Sequence, residues 1–85
     1  MSIGSPEELN DLVTQIRSDL LAQGQGEAAA VLGEVQATAF TTGSEWLGEL
    51  GRAVKEVRRR FQLRGLVESK LDRVMDEVRR VWPGL

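Results

Sequence analysis

Apolar residues in this chain recur at spacings of three and four in four successive stretches, and each stretch ends at glycine or a Thr-Gly or Pro-Gly break. That periodicity belongs to amphipathic helices, and no stretch alternates apolar and polar residues as a half-buried strand would. A helix with one oily face must bury that face against something. In a single short chain the nearest partners are its own neighbouring helices. The pattern therefore predicts an all-α fold, a small four-helix bundle of antiparallel helical hairpins, with helices over roughly 6–23, 27–40, 44–63 and 67–82.

The first stripe is Leu9, Leu12, Val13, Ile16 and Leu20. Ser5, Pro6 and Glu8 before it have the spacing of a capping box, and Gly24-Gln25-Gly26 stops the helix. The second stripe is Ala28, Val31, Leu32, Val35 and Ala39, flanked by a row of small residues ending in Gly33 and Ala37. The third is Trp46, Leu47, Leu50, Ala53, Val54, Val57 and Phe61, with Gly48 and Gly51 inside it. Glycine inside a helix costs about 1 kcal/mol relative to alanine. Gly33 and Gly51 are equidistant from the turn at Thr42, so a close crossing of helices two and three at these residues would account for them.

The third stripe loses phase after Phe61: apolar residues resume at Leu63, Leu66 and Val67, about half a turn out of register, around Gly65. A break is expected there. The fourth stripe, Val67, Leu71, Val74, Met75, Val78 and Val81, ends at Trp82-Pro83-Gly84. Ser69 and Asp72 have the spacing of a capping pair. The expected core is Leu12, Ile16, Leu32, Val35, Leu50, Val54, Val57, Leu71, Val74 and Val78. Residues 1–85 form one domain, with 1–5 and 83–85 as flexible ends.

Eighty-five residues leave a thin margin of stability, and without cysteine no disulfide can widen it. Absent cysteine also suits a reducing compartment. The N-terminal residues lack the basic start and apolar run of a signal peptide, and no apolar stretch approaches the roughly 20 residues of a membrane span. A cytoplasmic protein that binds no membrane is expected.

The chemistry available is narrow. With no His, Cys or Tyr, the commonest general base, the thiol nucleophile and the Cys/His zinc sites are all missing. Asp72 with Asp76, and Glu45 with Glu49, stand four apart, but a carboxylate-bridged metal bundle needs inward Glu and Glu-x-x-His motifs. No phosphate-binding glycine loop is present. We expect no enzyme, no catalytic residue, no metal, no cofactor and no small-molecule substrate.

Charge is divided along the chain. Residues 1–43 carry one base against six acids, and residues 44–85 carry ten bases against seven acids. The two halves could attract each other within the fold, or the basic half could face an acidic partner. The densest cationic cluster is Arg58, Arg59 and Arg60 with Lys55 and Arg64, a possible phosphate-binding surface. Acids interleave it at helical spacing: Glu56 lies four residues from both Arg52 and Arg60, and Asp76 and Glu77 precede Arg80. Such pairs describe a solvated mixed face. Residues 36–44 loosely suggest a helix-turn-helix, but Ser44–Glu49 places two acids and a Trp where a recognition helix shows bases. Nucleic acid is the disfavoured partner.

A protein partner fits better, because Trp and Arg concentrate in interface hot spots. The candidate contact residues are Trp46, Trp82, Arg58, Arg59, Arg60 and Arg64. Against that, both Trp residues could simply close the two ends of the core. The reading is a non-catalytic interaction module, a candidate for homodimerisation or a small regulatory or neutralising partner of another protein. The alternative is a nucleic-acid-associated protein using the basic cluster of the third helix.

Overall fold

The computed structural model describes residues 6–38, 40 and 42–85. Four helices, α1 (Pro6–Ala22), α2 (Gly26–Ala37), α3 (Gly43–Arg60) and α4 (Leu66–Val81), make up the fold, with no strand among the described residues. Each helix packs against its two neighbours in a ring, α1 on α2, α2 on α3, α3 on α4 and α4 back on α1. Short connections make successive helices antiparallel. The small four-helix bundle expected from the stripes is therefore what forms.

The core is the sum of the four stripes. Leu9, Leu12, Val13, Ile16 and Leu20 of α1 meet Ala28, Ala29 and Leu32 of α2, Leu50, Ala53, Val54 and Val57 of α3, and Val67, Leu71, Val74, Met75 and Val78 of α4. No polar or charged residue among those described is buried. Nine of the ten expected core residues are buried. Val35 is the exception. It is only partly buried and walls an open cleft between α2 and α3.

The breaks follow local chemistry. Gly24 takes φ +75°, the Gln25 N–H donates to Leu20 O at 2.8 Å, and the Gly24 N–H donates to Leu21 O at 3.1 Å. This paired closure satisfies the last carbonyls of α1 and calls for a left-handed residue at Gly24. Gly65, before α4, has φ 65° and ψ −139°, a conformation essentially confined to glycine. The half-turn phase shift thus marks a true break over residues 61–65. At the other turn, the Thr42 hydroxyl accepts from the Glu45 N–H and caps α3.

Some local expectations need correction. α2 stops at Ala37, where Thr38 turns extended and its hydroxyl donates to Glu34 O at 2.7 Å. α3 stops at Arg60, with Phe61 extended. Ser69 does not cap α4. It lies within that helix, which starts at Leu66, and its hydroxyl donates to Leu66 O. The capping box at Ser5 and the apolar position at Ala39 lie outside the described residues.

The glycines are the larger correction. α2 and α3 do pack as a hairpin, but Gly33 and Gly51 do not face each other. A Cβ on Gly33 would meet the Arg17 guanidinium of α1 at 2.8 Å. One on Gly51 would meet Val78 Cγ1 at 2.7 Å and Leu85 Cδ1 at 3.1 Å, and one on Gly48 the Trp82 ring at 3.3 Å. Counting from the turn gives height along the hairpin but not rotation about each helix axis. α2 turns Gly33 to α1, and α3 turns Gly48 and Gly51 to α4 and the C-terminal residues.

Candidate functional site

Trp82 sits in the notch opened by Gly48. Its indole Nε1 donates to Ser44 O at 2.7 Å, while 42% of the residue stays exposed. The chain then turns back: the Leu85 N–H donates to Trp82 O at 3.0 Å, and Leu85 packs against the core beside Gly51. Within residues 83–85, expected as a flexible end, Leu85 lies against α3 while Pro83 and Gly84 are exposed.

Trp46 is partly buried two residues beyond Ser44. Both tryptophans therefore stand at one end of the bundle, where α1 and α3 begin and α2 and α4 finish. The expectation that they close opposite ends is wrong, because antiparallel packing brings the start of α3 beside the end of α4. Around Trp46 the surface is concave. One open cleft of about 430 Å³ is walled by Trp46, Pro6, Glu7, Asn10 and Asp11. A second, of about 290 Å³, shares Trp46 with Thr38, Phe40, Thr42 and Gly43. Phe40, partly exposed, was not among the expected contact residues. Its isolation in a Thr-rich turn is the sequence signal that could have marked it.

The arginines are elsewhere. Arg58 lies 12 positions after Trp46 on the same helix, so about 18 Å along its axis. It is largely occupied: one terminal nitrogen donates to Asp72 Oδ1 at 2.6 Å and to Glu68 O at 3.2 Å, tying α3 to α4. Its Nε is buried with no partner among the described residues. Arg59 and Arg60 both pair with Glu56, and Arg60 also lies over the Phe61 ring, 5.2 Å from its centre. The Arg59 hydrogen bond, more than any other influence, lowers the Glu56 carboxyl below its ordinary value of 4.5. Arg64 is exposed, its side chain unpaired among the described residues. The six candidate residues thus fall into two groups at opposite ends, Trp46 with Trp82 and Arg58 with Arg59, Arg60 and Arg64.

Of the anticipated pairs, Glu56 with Arg60 and Glu77 with Arg80 form. Arg52 pairs with Glu49 rather than Glu56, and Asp76 is not Arg80's partner. Among the described residues, the ion pair between the acidic first half of the chain and the basic second half is Lys70 to Asp19 at 2.6 Å across α4 and α1. Most of that charge asymmetry is therefore not consumed by pairing between the halves.

Folding turns the asymmetry into a gradient along the bundle. Cutting each helix at its midpoint gives an end that carries Glu7, Glu8, Asp11, Glu34, Glu45, Glu49, Asp76 and Glu77 against Arg79 and Arg80. The other end carries Arg17, Arg52, Lys55, Arg58, Arg59, Arg60, Arg64, Lys70 and Arg73 against five acids, Asp19, Glu27, Glu56, Glu68 and Asp72. The tryptophan end is net −6 and the arginine end net +4 by these side chains. Antiparallel packing could have cancelled such a difference. It survives because α1 begins acidic, α3 begins acidic and ends basic, and both start at the same end. In α1 and α3 the gradient runs with the helix dipole, which favours acids at N-termini and bases at C-termini, and in α2 and α4 it runs against it.

The basic end has an apolar component of its own. Leu66 is 72% exposed and Leu21 is 59% exposed. Gln23 Nε2 donates to Arg64 O and Gln25 Nε2 to Gln62 O, so the α1–α2 turn lies against the α3–α4 connection and these leucines share that end.

Among the described residues, no group of three carboxylates or other ligating side chains stands close enough to hold a metal ion, and no helix is long and apolar enough to cross a membrane. Comparison with protein-family models, with curated proteins and with solved structures finds no match.

Proposed function

We propose that this protein is a non-catalytic interaction module that works through a protein–protein contact at its tryptophan end. The observation that carries this reading is the pair of open clefts that share Trp46, one walled by the acids Glu7 and Asp11 and the other by Phe40, at the end of the bundle where Trp82 is also exposed. An aromatic ring supplies large contact area at low entropic cost, and a carboxylate rim selects a partner of opposite charge. A partner with exposed Lys or Arg and some apolar surface suits such an end. Arginine over a tryptophan face adds a cation–π attraction.

The nucleic-acid reading draws less support. Arg58, Arg59 and Arg60 each already hold a carboxylate, so phosphate would have to displace Asp72, Glu68 or Glu56. The test compares pull-downs by the wild-type protein and by two folded variants, Trp46→Ala with Glu45→Gln, and Arg59→Glu with Arg64→Glu. A protein partner recovered by the wild type and lost with the Trp46 variant supports the proposal. Nucleic acid recovered by the wild type, lost with the Arg59 variant and released steeply by salt would replace it.

A further inference from the structure

The two ends of this molecule are complementary. One is acidic, aromatic and concave; the other is basic and bears two exposed leucines. A partner for the acidic end should carry free cations beside apolar surface, and the arginine end of this same chain has that composition. The Arg64 side chain is exposed and has no partner among the described residues, Arg59 and Arg60 together place two positive charges against the one carboxylate of Glu56, and the exposed Leu66 follows Arg64 by two residues. The net −6 and net +4 ends would repel like ends and attract unlike ones.

We infer that the protein self-associates head to tail, the arginine end of one copy docking on the Trp46 end of the next. This names the partner for the surface proposed above and rests on that reading. The geometry differs from a two-fold dimer. An end-to-end two-fold contact places the same end against itself, which here sets acid against acid or base against base, and a side-by-side two-fold pair would stop at the dimer. A head-to-tail contact leaves one end of each type free, so growth continues unless a ring closes. The area at the end of so small a bundle puts the contact among weak, transient interfaces.

The expected behaviour is a weight-average mass that rises with protein concentration at low salt and does not stop at the dimer. Raising ionic strength from about 0.01 M to about 1 M shortens the Debye length from roughly 30 Å to 3 Å. Association should then weaken on the order of tenfold or more. Two variants built on exposed residues separate the ends. Glu7→Gln, Asp11→Asn and Glu45→Gln disable the acidic end; Arg60→Gln, Arg64→Gln and Leu66→Ser disable the basic end. Circular dichroism confirms that each is folded.

In analytical ultracentrifugation each variant alone should remain monomeric. An equimolar mixture should form a one-to-one dimer and nothing larger, because it retains one live end of each kind. A wild type that is monomeric at every concentration in low salt overturns the inference, as does association that persists in either variant or a mixture that fails to pair. A monomeric wild type that still recovers a protein through Trp46 would remove only the self-association and leave the wider reading standing.

Discussion

Gly51 and Gly33 look alike in the sequence and behave differently in the fold. At Gly51 an added methyl would press on Val78, a β-branched side chain fixed in the core, and on Leu85. Overpacking of this kind costs about 1–3 kcal/mol, against the roughly 1 kcal/mol that alanine returns in helix propensity. Gly51→Ala should therefore lower the urea midpoint. At Gly33 the obstacle is the end of a long arginine, which can swing aside at the expense of its 2.7 Å hydrogen bond to Gln36. A bond from a charged donor contributes about 1.5–3 kcal/mol, part of which the long side chain recovers in its new position, so the net cost falls close to the roughly 1 kcal/mol propensity gain. Gly33→Ala should leave stability nearly unchanged. Equal effects at the two positions would contradict the packing described. Glu56 gives a second residue-scale prediction. Its carboxyl is lowered first by Arg59, so the ion pairs help at neutral pH and are lost as pH falls below the ordinary 4.5. Glu56→Gln should be slightly less stable than the wild type at pH 7. The two unfolding midpoints should converge in acid.

The helices were legible from spacing, because burial of one face forces the period. Leu9, Leu12, Val13, Ile16 and Leu20 need no other information to be placed inside. The fate of the ends was less legible. A helix limit depends on whether two or three residues find hydrogen-bond partners, and Thr38 and Phe61 found theirs earlier than the apolar pattern suggested. The C-terminal three residues, 83–85, read as a flexible end because Pro83-Gly84 ends a helix in any sequence. What holds them is a notch made by glycines on a distant segment, visible only after folding. Trp82→Ala should therefore destabilise the bundle by about 1–2 kcal/mol, less than the 3–5 kcal/mol of a fully buried tryptophan. Helix content at low temperature should not change, because α4 ends at Val81. A midpoint equal to that of the wild type would mean that the indole covers nothing of consequence.

At the scale of the whole molecule, the sequence showed opposite charge in its two halves but not their arrangement. That depends on the direction of each helix. Up-down packing set the beginnings of α1 and α3 together and left Arg58, Arg59 and Arg60 with Arg64 at the far end. The sequence offered Trp46, Trp82, Arg58, Arg59, Arg60 and Arg64 as one set of candidates by residue type, and their separation into two ends was not legible in it. Such a polarity has little influence on folding, since exposed pairs contribute about 0–1 kcal/mol each. It has more influence on encounter, where unlike ends attract over distances set by ionic strength.

The acidic, Trp46-bearing end is the proposed working surface, and tryptophan emission observes it directly. In a Trp82→Phe variant, Trp46 is the sole fluorophore of its kind. As concentration rises at low salt, its emission should move to shorter wavelength and become harder to quench with acrylamide. Added salt should reverse both changes. A Trp46 that stays equally accessible at every concentration and ionic strength, with or without a basic partner, would contradict the account.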